Sequence, residues 1–405
     1  MQKSISAITI AIIVAALGYF VDIYDLLLFN IVRVDSLRDL GLDAAGIKSK
    51  GEFIIGVQML GLLLGGILWG IAGDKKGRLS VLFGSIILYS IANILNGFVQ
   101  TTNQYALIRF IAGVGLAGEL GAGITLVSEL SSREKRGLST SLVAGIGLLG
   151  AVFAFFISQH YAWRTCYFIG GGLGICLLLL RISVYESGMF NEVKKTSVSR
   201  GNFFMFFTQP RRFKKYITAI LLGLPTWYVI GILVAFSNNF GEAFGLSETV
   251  LPKKATLYAY LAISVADVLI GVVSHWLKSR KKALYIFYGI TIAGIVLYFT
   301  QQGGSAQQMY IICALLGFGT GFWAIFVTMA AEQFGTNLRA TAATTVPNMV
   351  RGSLPLMLLA FNGLQYFTSY INAAIITGIV VMGISIVAAW LSEETFGKDL
   401  NYIEI

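Results

Sequence analysis

The sequence predicts an all-α integral membrane protein, with twelve transmembrane helices in two pseudosymmetric six-helix bundles. Three observations predict it. The 405 residues are 56% hydrophobic and only 12% charged, where an ordinary soluble domain carries about 25% charge. Apolar stretches of about 20 residues, enough to cross the hydrocarbon as a helix, recur from end to end. Polar landmarks of the first half return in the second at a nearly constant offset. Together these exclude a soluble globule, a nucleic-acid-binding domain and a disordered chain.

In order, the spans fall at 6–30, 52–72, 79–100, 104–129, 138–159, 163–183, 215–238, 253–277, 283–301, 306–330, 341–366 and 370–392. The first is too long for a signal peptide and lacks a small-residue cleavage site. Basic residues mark alternate connections. Asp74-Lys75-Lys76-Gly77-Arg78 follows span two, Arg133-Glu134-Lys135-Arg136 follows span four, and Lys278-Ser279-Arg280-Lys281-Lys282 follows span eight. Between spans six and seven lie Lys194, Lys195, Arg200, Arg211, Arg212, Lys214 and Lys215 against Glu186 and Glu192. The connections at 100–105, 301–308 and 368–370 carry no charge, and 33–50 mixes both signs almost evenly. Lys and Arg collect on the cytoplasmic side. Both termini and the basic middle segment are therefore expected in the cytoplasm, with the chain in a bacterial inner (plasma) membrane. The formal charge of +10 is a topology signal, and no nucleic-acid partner is expected. Cys166, Cys176 and Cys313 lie far apart in apolar runs without zinc or disulfide spacing, so they read as small packing residues, and neither metal nor cofactor is expected.

The halves read as a duplication. Glu129 precedes Arg136 by seven residues, and both recur 203 positions on as Glu332 and Arg339. Gly70, four before Asp74, recurs 201 positions on as Gly271, four before His275. This predicts bundles at 1–184 and 215–405, the second with a short cytoplasmic tail, joined by a cytoplasmic linker at 185–214. Parallel repeats around a midplane site are a transporter arrangement.

The loop Gly70-Ile71-Ala72-Gly73-Asp74-Lys75-Lys76-Gly77-Arg78 resembles the G-x-x-x-D-[RK]-x-G-[RK] signature of the major facilitator superfamily. Gly70 allows close helix approach, Gly77 a tight turn, and Asp74 a cap on the next helix or a pair with a base. The loop reads as a cytoplasmic gate contact, grouped with Arg78, Glu129, Arg136, Glu332 and Arg339. His275, where the second copy would carry the acid, marks a weaker version. Gly18-Tyr19-Phe20-Val21-Asp22-Ile23-Tyr24-Asp25 looks like the G-x-x-x-E-x-Y-D element of metabolite:proton symporters, and its Tyr-Asp pair resembles the G-Y-D of sugar porters. Arg109 to Glu119 is similar to the symporters' R-x-x-x-G-x-x-x-G-G-E, with Ala117 for one glycine. Span five carries Gly145, Gly147 and Gly150 but no proline, unlike the G-P-x-x-G-G of drug:proton antiporters. The resemblance implies two bundles rocking about a central cavity. Among its branches it favours proton-coupled carriers of carboxylates, polyols or zwitterions.

Asp22, Asp25, Arg109, Glu119, Asp267 and Arg351 fall inside spans. At roughly 2.5–3.5 kcal/mol each, six such groups cost on the order of 15 kcal/mol unless they face one another or water, which predicts one shared aqueous cavity. Asp25 and Arg109 lie at matching depth, five residues from the same expected boundary, so they can pair; Glu119 lies about three turns deeper than Arg109. Asp267 and Arg351, each ten residues from the opposite boundary, can pair near the midplane, or Arg351 can offer its fork to a substrate carboxylate. In sugar porters the equivalents of Asp25 and Arg109 form the coupling pair, so the resemblance implies proton coupling there, with Asp22 and Glu119 as further candidates. It also implies that spans seven and ten line the cavity. Trp227 and Tyr228 after Pro225 and Trp323 after Gly321 are thus candidate substrate contacts; Asp267 and Arg351 join them by their buried charge, and Asn348 because Pro347 can place irregular backbone in the cavity. Tyr161 and Trp163 read as interface anchors. The expected function is proton-coupled import of a small polar metabolite by a monomer in contact with lipid. The alternatives are a facilitator or exporter of an organic cation or metal ion, and a transporter-like sensor. No Ser/His/Asp pattern, nucleotide loop or metal spacing suggests an enzyme.

Overall fold

The computed structural model describes residues 2–180 and 200–404. Among them, eleven helical segments are long and apolar enough to cross a membrane. The remaining span, at 341–366, is present as Arg339–Gly352 and Leu354–Leu364. Its break falls at Ser353 rather than at Pro347, through which the first segment runs on. Pro355 supplies no N–H and its ring opposes the carbonyl four residues back, so the helix restarts instead of continuing.

The first six spans are Gln2–Asp39, Ala44–Lys76, Arg78–Asn96, Thr102–Leu116 with Glu119–Leu130, Arg136–His160 and Trp163–Leu180. Span seven is Pro210–Tyr228, widening into a π turn at Val229–Val234. Spans eight to ten are Pro252–Trp276, Arg280–Phe299, and Ala306–Gly319 with Trp323–Glu332; span twelve is Tyr370–Leu391. Span one runs nine residues past its expected end because Ser36 and Leu37 are fully buried, so its last turns pack instead of looping. Asp43 then caps span two, accepting from the Gly46 N–H at 2.8 Å.

Spans four, seven, ten and eleven are the interrupted ones. Backbone irregularity at membrane depth is tolerated only inside protein or beside a cavity, and the breaks at 117–118 and 320–322 follow Gly113 and Gly115, and Gly317 and Gly319. The halves meet through span two on span eleven and span five on span eight. A Cβ on Gly70 would lie 2.9 Å from the Thr341 Cα, and one on Gly271 2.6 Å from the Ser141 Cβ. The two repeated glycines thus do the same work in mirrored places, each letting one half touch the other.

Of the expected linker, residues 185–199, including Glu186, Glu192, Lys194 and Lys195, lie outside the described residues. Beyond them Gly201, at φ +61°, donates to the Asn337 carbonyl at 2.9 Å. Trp163 is no interface anchor. It is buried against Tyr105 and Tyr167, and its Nε1 donates to Asp39 at 3.1 Å.

Candidate transport site

An open cavity of about 360 Å³ enters the bundle from the end opposite the basic loops. Trp227 and Ile230 line both it and a second pocket below, of about 20 Å³, whose other walls are Tyr19, Thr226, Tyr260, Trp323 and Arg351 with the aliphatic Ile23, Leu26, Leu148 and Ile263. That inner space holds roughly one water.

Arg351 is built into this floor. Its guanidinium donates to the Asn348 Oδ1 at 2.9 Å and lies 5.6 Å from the Trp323 ring centre. Asn348 is itself fixed, its Nδ2 donating to the Thr344 carbonyl at 2.8 Å and, across the halves, to the Ala117 carbonyl at 2.9 Å. The Arg351 Nε, the Nε1 of Trp227 and Trp323, and the Thr226 hydroxyl are buried and find no hydrogen-bond partner within the protein. Buried donors without acceptors are costly.

Two candidate contacts lie elsewhere. Tyr228 turns away, its hydroxyl donating to the Ala374 carbonyl of span twelve at 2.8 Å; about 100° of helix rotation separates it from Trp227. Asp267 neither pairs with Arg351 nor lines the pocket. Its Oδ1 accepts from the Ala324 N–H at 2.9 Å, satisfying the start of Trp323–Glu332, where a helix leaves its first N–H groups unbonded. Asp267 therefore positions Trp323. Tyr19, Thr226 and Tyr260 were missed as lining residues. Tyr19 stood in the motif around Asp25, while Tyr260 carries no local signal.

Asp25 and Arg109 meet at 2.8 Å, and Arg109 also donates to the Asp25 carbonyl at 3.1 Å, Gln58 at 3.3 Å and Asn93 at 3.4 Å. The Tyr167 ring centre lies 5.5 Å from the guanidinium. Both charged groups are fully buried and line neither cavity. Asp22, one turn deeper, is buried beside Tyr19. Glu119 accepts from the Ser85 hydroxyl at 3.5 Å, behind the cavity. The single shared chamber is thus corrected. Arg351 alone of the six lines the pocket, while Asp25, Arg109, Glu119 and Asp267 each meet a partner within the protein.

At the basic end, Glu129 pairs with Arg78 at 2.8 Å and Arg339 at 2.9 Å, while Glu332 pairs with Arg280 at 3.2 Å and Arg136 at 3.3 Å. Each glutamate holds one arginine from either half. Arg280 was missed, although it lies 202 positions after Arg78, and the repeat offset would have found it. Asp74 caps not the next helix but span eleven, accepting from Ala340 N at 3.1 Å, Thr341 N at 2.8 Å and the Thr341 hydroxyl at 2.7 Å. Gly77, at φ +107°, makes the turn that follows. In the second copy the His275 Nδ1 meets the Glu134 carbonyl at 3.0 Å. Residues 393–404 cross this end. Thr395 donates to Glu332 at 2.7 Å, and Arg136 and Arg339 donate to the carbonyls of Lys398 and Leu400 at 3.2 and 2.5 Å.

The family model for the Major Facilitator Superfamily matches residues 5–353. The niacin transporter of Acinetobacter baylyi is 25% identical over 422 residues, covering 96% of this chain and 95% of the relative. The 3-(3-hydroxy-phenyl)propionate transporter of Escherichia coli (strain K12) is 25% identical over 372 residues, covering 86% and 90%. A solved structure of the proton:xylose symporter XylE bound to 6-bromo-6-deoxy-D-glucose shares the fold, with a TM-score of 0.77 at 16% identity over 98% of both chains.

Proposed function

The chain belongs to the major facilitator superfamily and carries a small organic metabolite, not an enzyme's active site, and from that premise we propose that it imports an aromatic monocarboxylate together with protons. The observation that carries the substrate class is the set of unmatched donors around Arg351, which lies beside Trp323 in a pocket that Trp227 also lines. A carboxylate offers two acceptor oxygens to a guanidinium fork, and a flat ring fits between indoles. No carboxylate lines the inner pocket, so an ammonium group or a metal ion would meet Arg351 without a counter-charge. Niacin, carried by one relative, is a pyridine carboxylate.

In this reading residues 1–184 and 215–405 are the moving bundles of a monomer. The linker at 185–214 and both termini face the cytoplasm of a bacterial cell, and the open cavity faces out. The carboxylate descends to Arg351. A proton taken by Asp25 breaks its pair with Arg109 and loosens span one from span four. Span one also carries Tyr19, which lines the inner pocket, and this links the proton site to the substrate site. Support for coupling is the buried Asp25–Arg109 pair; loss of such a partner leaves an uncompensated charge.

Uptake of nicotinate and benzoate into proteoliposomes under an imposed pH gradient tests the proposal. Arg351→Gln is expected to abolish saturable uptake. Asp25→Asn is expected to abolish accumulation driven by the gradient while sparing substrate exchange. Undiminished accumulation by Asp25→Asn would overturn the coupling, and normal carboxylate affinity in Arg351→Gln would overturn the substrate site.

A further inference from the structure

The open cavity, at about 360 Å³, is far roomier than the pocket of about 20 Å³ beneath it, and it falls within the size range of small-molecule sites. Much of its wall is apolar, with Ile55, Met59 and Leu358 among the lining residues. Its mouth is not. Arg33 from span one and Lys253 from span eight line it from opposite halves, with Glu52 the one carboxylate among the lining residues. The two cations outnumber the anion. The Arg33 Nε is buried and finds no hydrogen-bond partner within the protein.

We propose that this cavity is a second, outer substrate site, which binds an organic carboxylate through Arg33 and Lys253 and seats its apolar body on the wall below. The proposal rests on the carboxylate reading of the inner pocket. Trp227 and Ile230 are at once the floor of the outer site and the roof of the inner one. The inner pocket has no room for a substrate while they are closed, so the outer site fills first. Its cations are partly solvated and lack the two-tryptophan setting of Arg351, so binding there is weaker and more sensitive to salt. Positive charge at a low-dielectric mouth also speeds the arrival of anions.

The test uses purified full-length protein and 4-bromobenzoate, a heavy-atom quencher, followed by tryptophan fluorescence, since Trp227 borders both sites. In Arg351→Gln a weaker saturable phase is expected to persist, to be suppressed by salt, and to vanish on adding Lys253→Gln but not Lys253→Arg. With Arg351 intact, Lys253→Gln is expected to slow association about three- to tenfold and leave dissociation unchanged. The Arg33 stem lies against Gly51, where an added Cβ would sit 2.7 Å from the Arg33 Cδ, so Arg33→Lys serves as the folded control for Arg33→Gln. Neutral 4-bromobenzamide is expected to show none of these dependences. Wild-type binding that disappears altogether in Arg351→Gln, or association unaffected by Lys253→Gln, overturns the outer site and leaves the inner one standing. Failure of wild-type protein to bind 4-bromobenzoate overturns both.

Discussion

The two ends of the molecule are made by the same repeated halves, yet one is sealed and the other open. At the basic end six side chains, Arg78, Glu129, Arg136, Arg280, Glu332 and Arg339, are almost wholly buried in ion pairs, and each glutamate shares one of its two arginines with the other half. At the other end Arg33, Glu52 and Lys253 line a cavity, and among the described residues no ion pair joins the halves there. The difference teaches how a seal can be tight and reversible. A buried ion pair gains little net free energy because desolvation offsets attraction, but it penalises any arrangement that leaves one partner alone. An apolar seal of equal area would hold without that selectivity.

The largest expected effect comes from removing the shared anion. Glu332→Gln leaves Arg136 and Arg280 buried without their carboxylate, a loss of about 3–5 kcal/mol from the sealed state by the measured cost of breaking buried pairs. The basic end should then open. Ala340, 1% exposed against span two, reports it: as Ala340→Cys in a background with the native cysteines replaced, it should become reactive to a thiol reagent from that side. An unreactive cysteine in Glu332→Gln would show that helix packing alone holds the seal.

Next in size is Gly70→Leu. The Thr341 backbone stands 2.9 Å from where its Cβ would be, so the halves must part by more than a side chain can yield. The same labelling assay should show an opened basic end with the ion pairs chemically intact. Equal labelling of Gly70→Leu and wild type would mean that the approach of spans two and eleven is not what closes this end.

Much of this architecture is legible in the sequence, and the failures are instructive. The spans follow from the length of apolar runs, and most of the basic-end network from landmarks repeated at one offset. The break at Ser353 is not legible, because Pro347 and Pro355 carry the same local signal and only packing decides which one the helix absorbs. The shared chamber fails for a related reason. Counting residues from a membrane boundary gives the height of Asp25, Arg109, Asp267 and Arg351, but not the direction each faces. Gln58, Asn93 and Tyr167 answer Arg109 from within its own half, and none announces that in the sequence. Arg351 is legible as a residue that faces the pocket, since a guanidinium so deep cannot face lipid, whereas Tyr228 shows how one residue of rotation exchanges cavity for core.

A smaller effect is expected from the tail. Deleting residues 393–404 removes the bonds from Thr395 to Glu332 and from Arg136 and Arg339 to tail carbonyls, each a bond to a charged group worth about 1.5–3 kcal/mol, but it admits water to those groups in their place and leaves the ion pairs of Glu129 and Glu332 intact. Thiol labelling should rise, but less than in Glu332→Gln. Labelling as strong as in that variant would make the tail, rather than the exchanged ion pairs, the main element of the seal.

The smallest effect separates the tail's own chemistry from the seal beneath it. Burial works to raise the Glu394 pKa, but the Ser279 hydroxyl and the backbone N–H groups of Phe396, Arg280 and Lys281 donate to its carboxylate and hold it below the usual value. A carboxyl whose folded pKa is depressed contributes stability in full above its unfolded pKa and loses it as the pH falls through the folded value. Glu394→Gln should therefore lower the thermal midpoint slightly at neutral pH, by the equivalent of about 1 kcal/mol or less for a half-buried group. The gap between variant and wild type should close on acidification below the ordinary glutamate range and stay constant from there to neutrality. A gap that instead narrows between pH 6 and 8 would assign the titration to another group and detach Glu394 from the closure of this end.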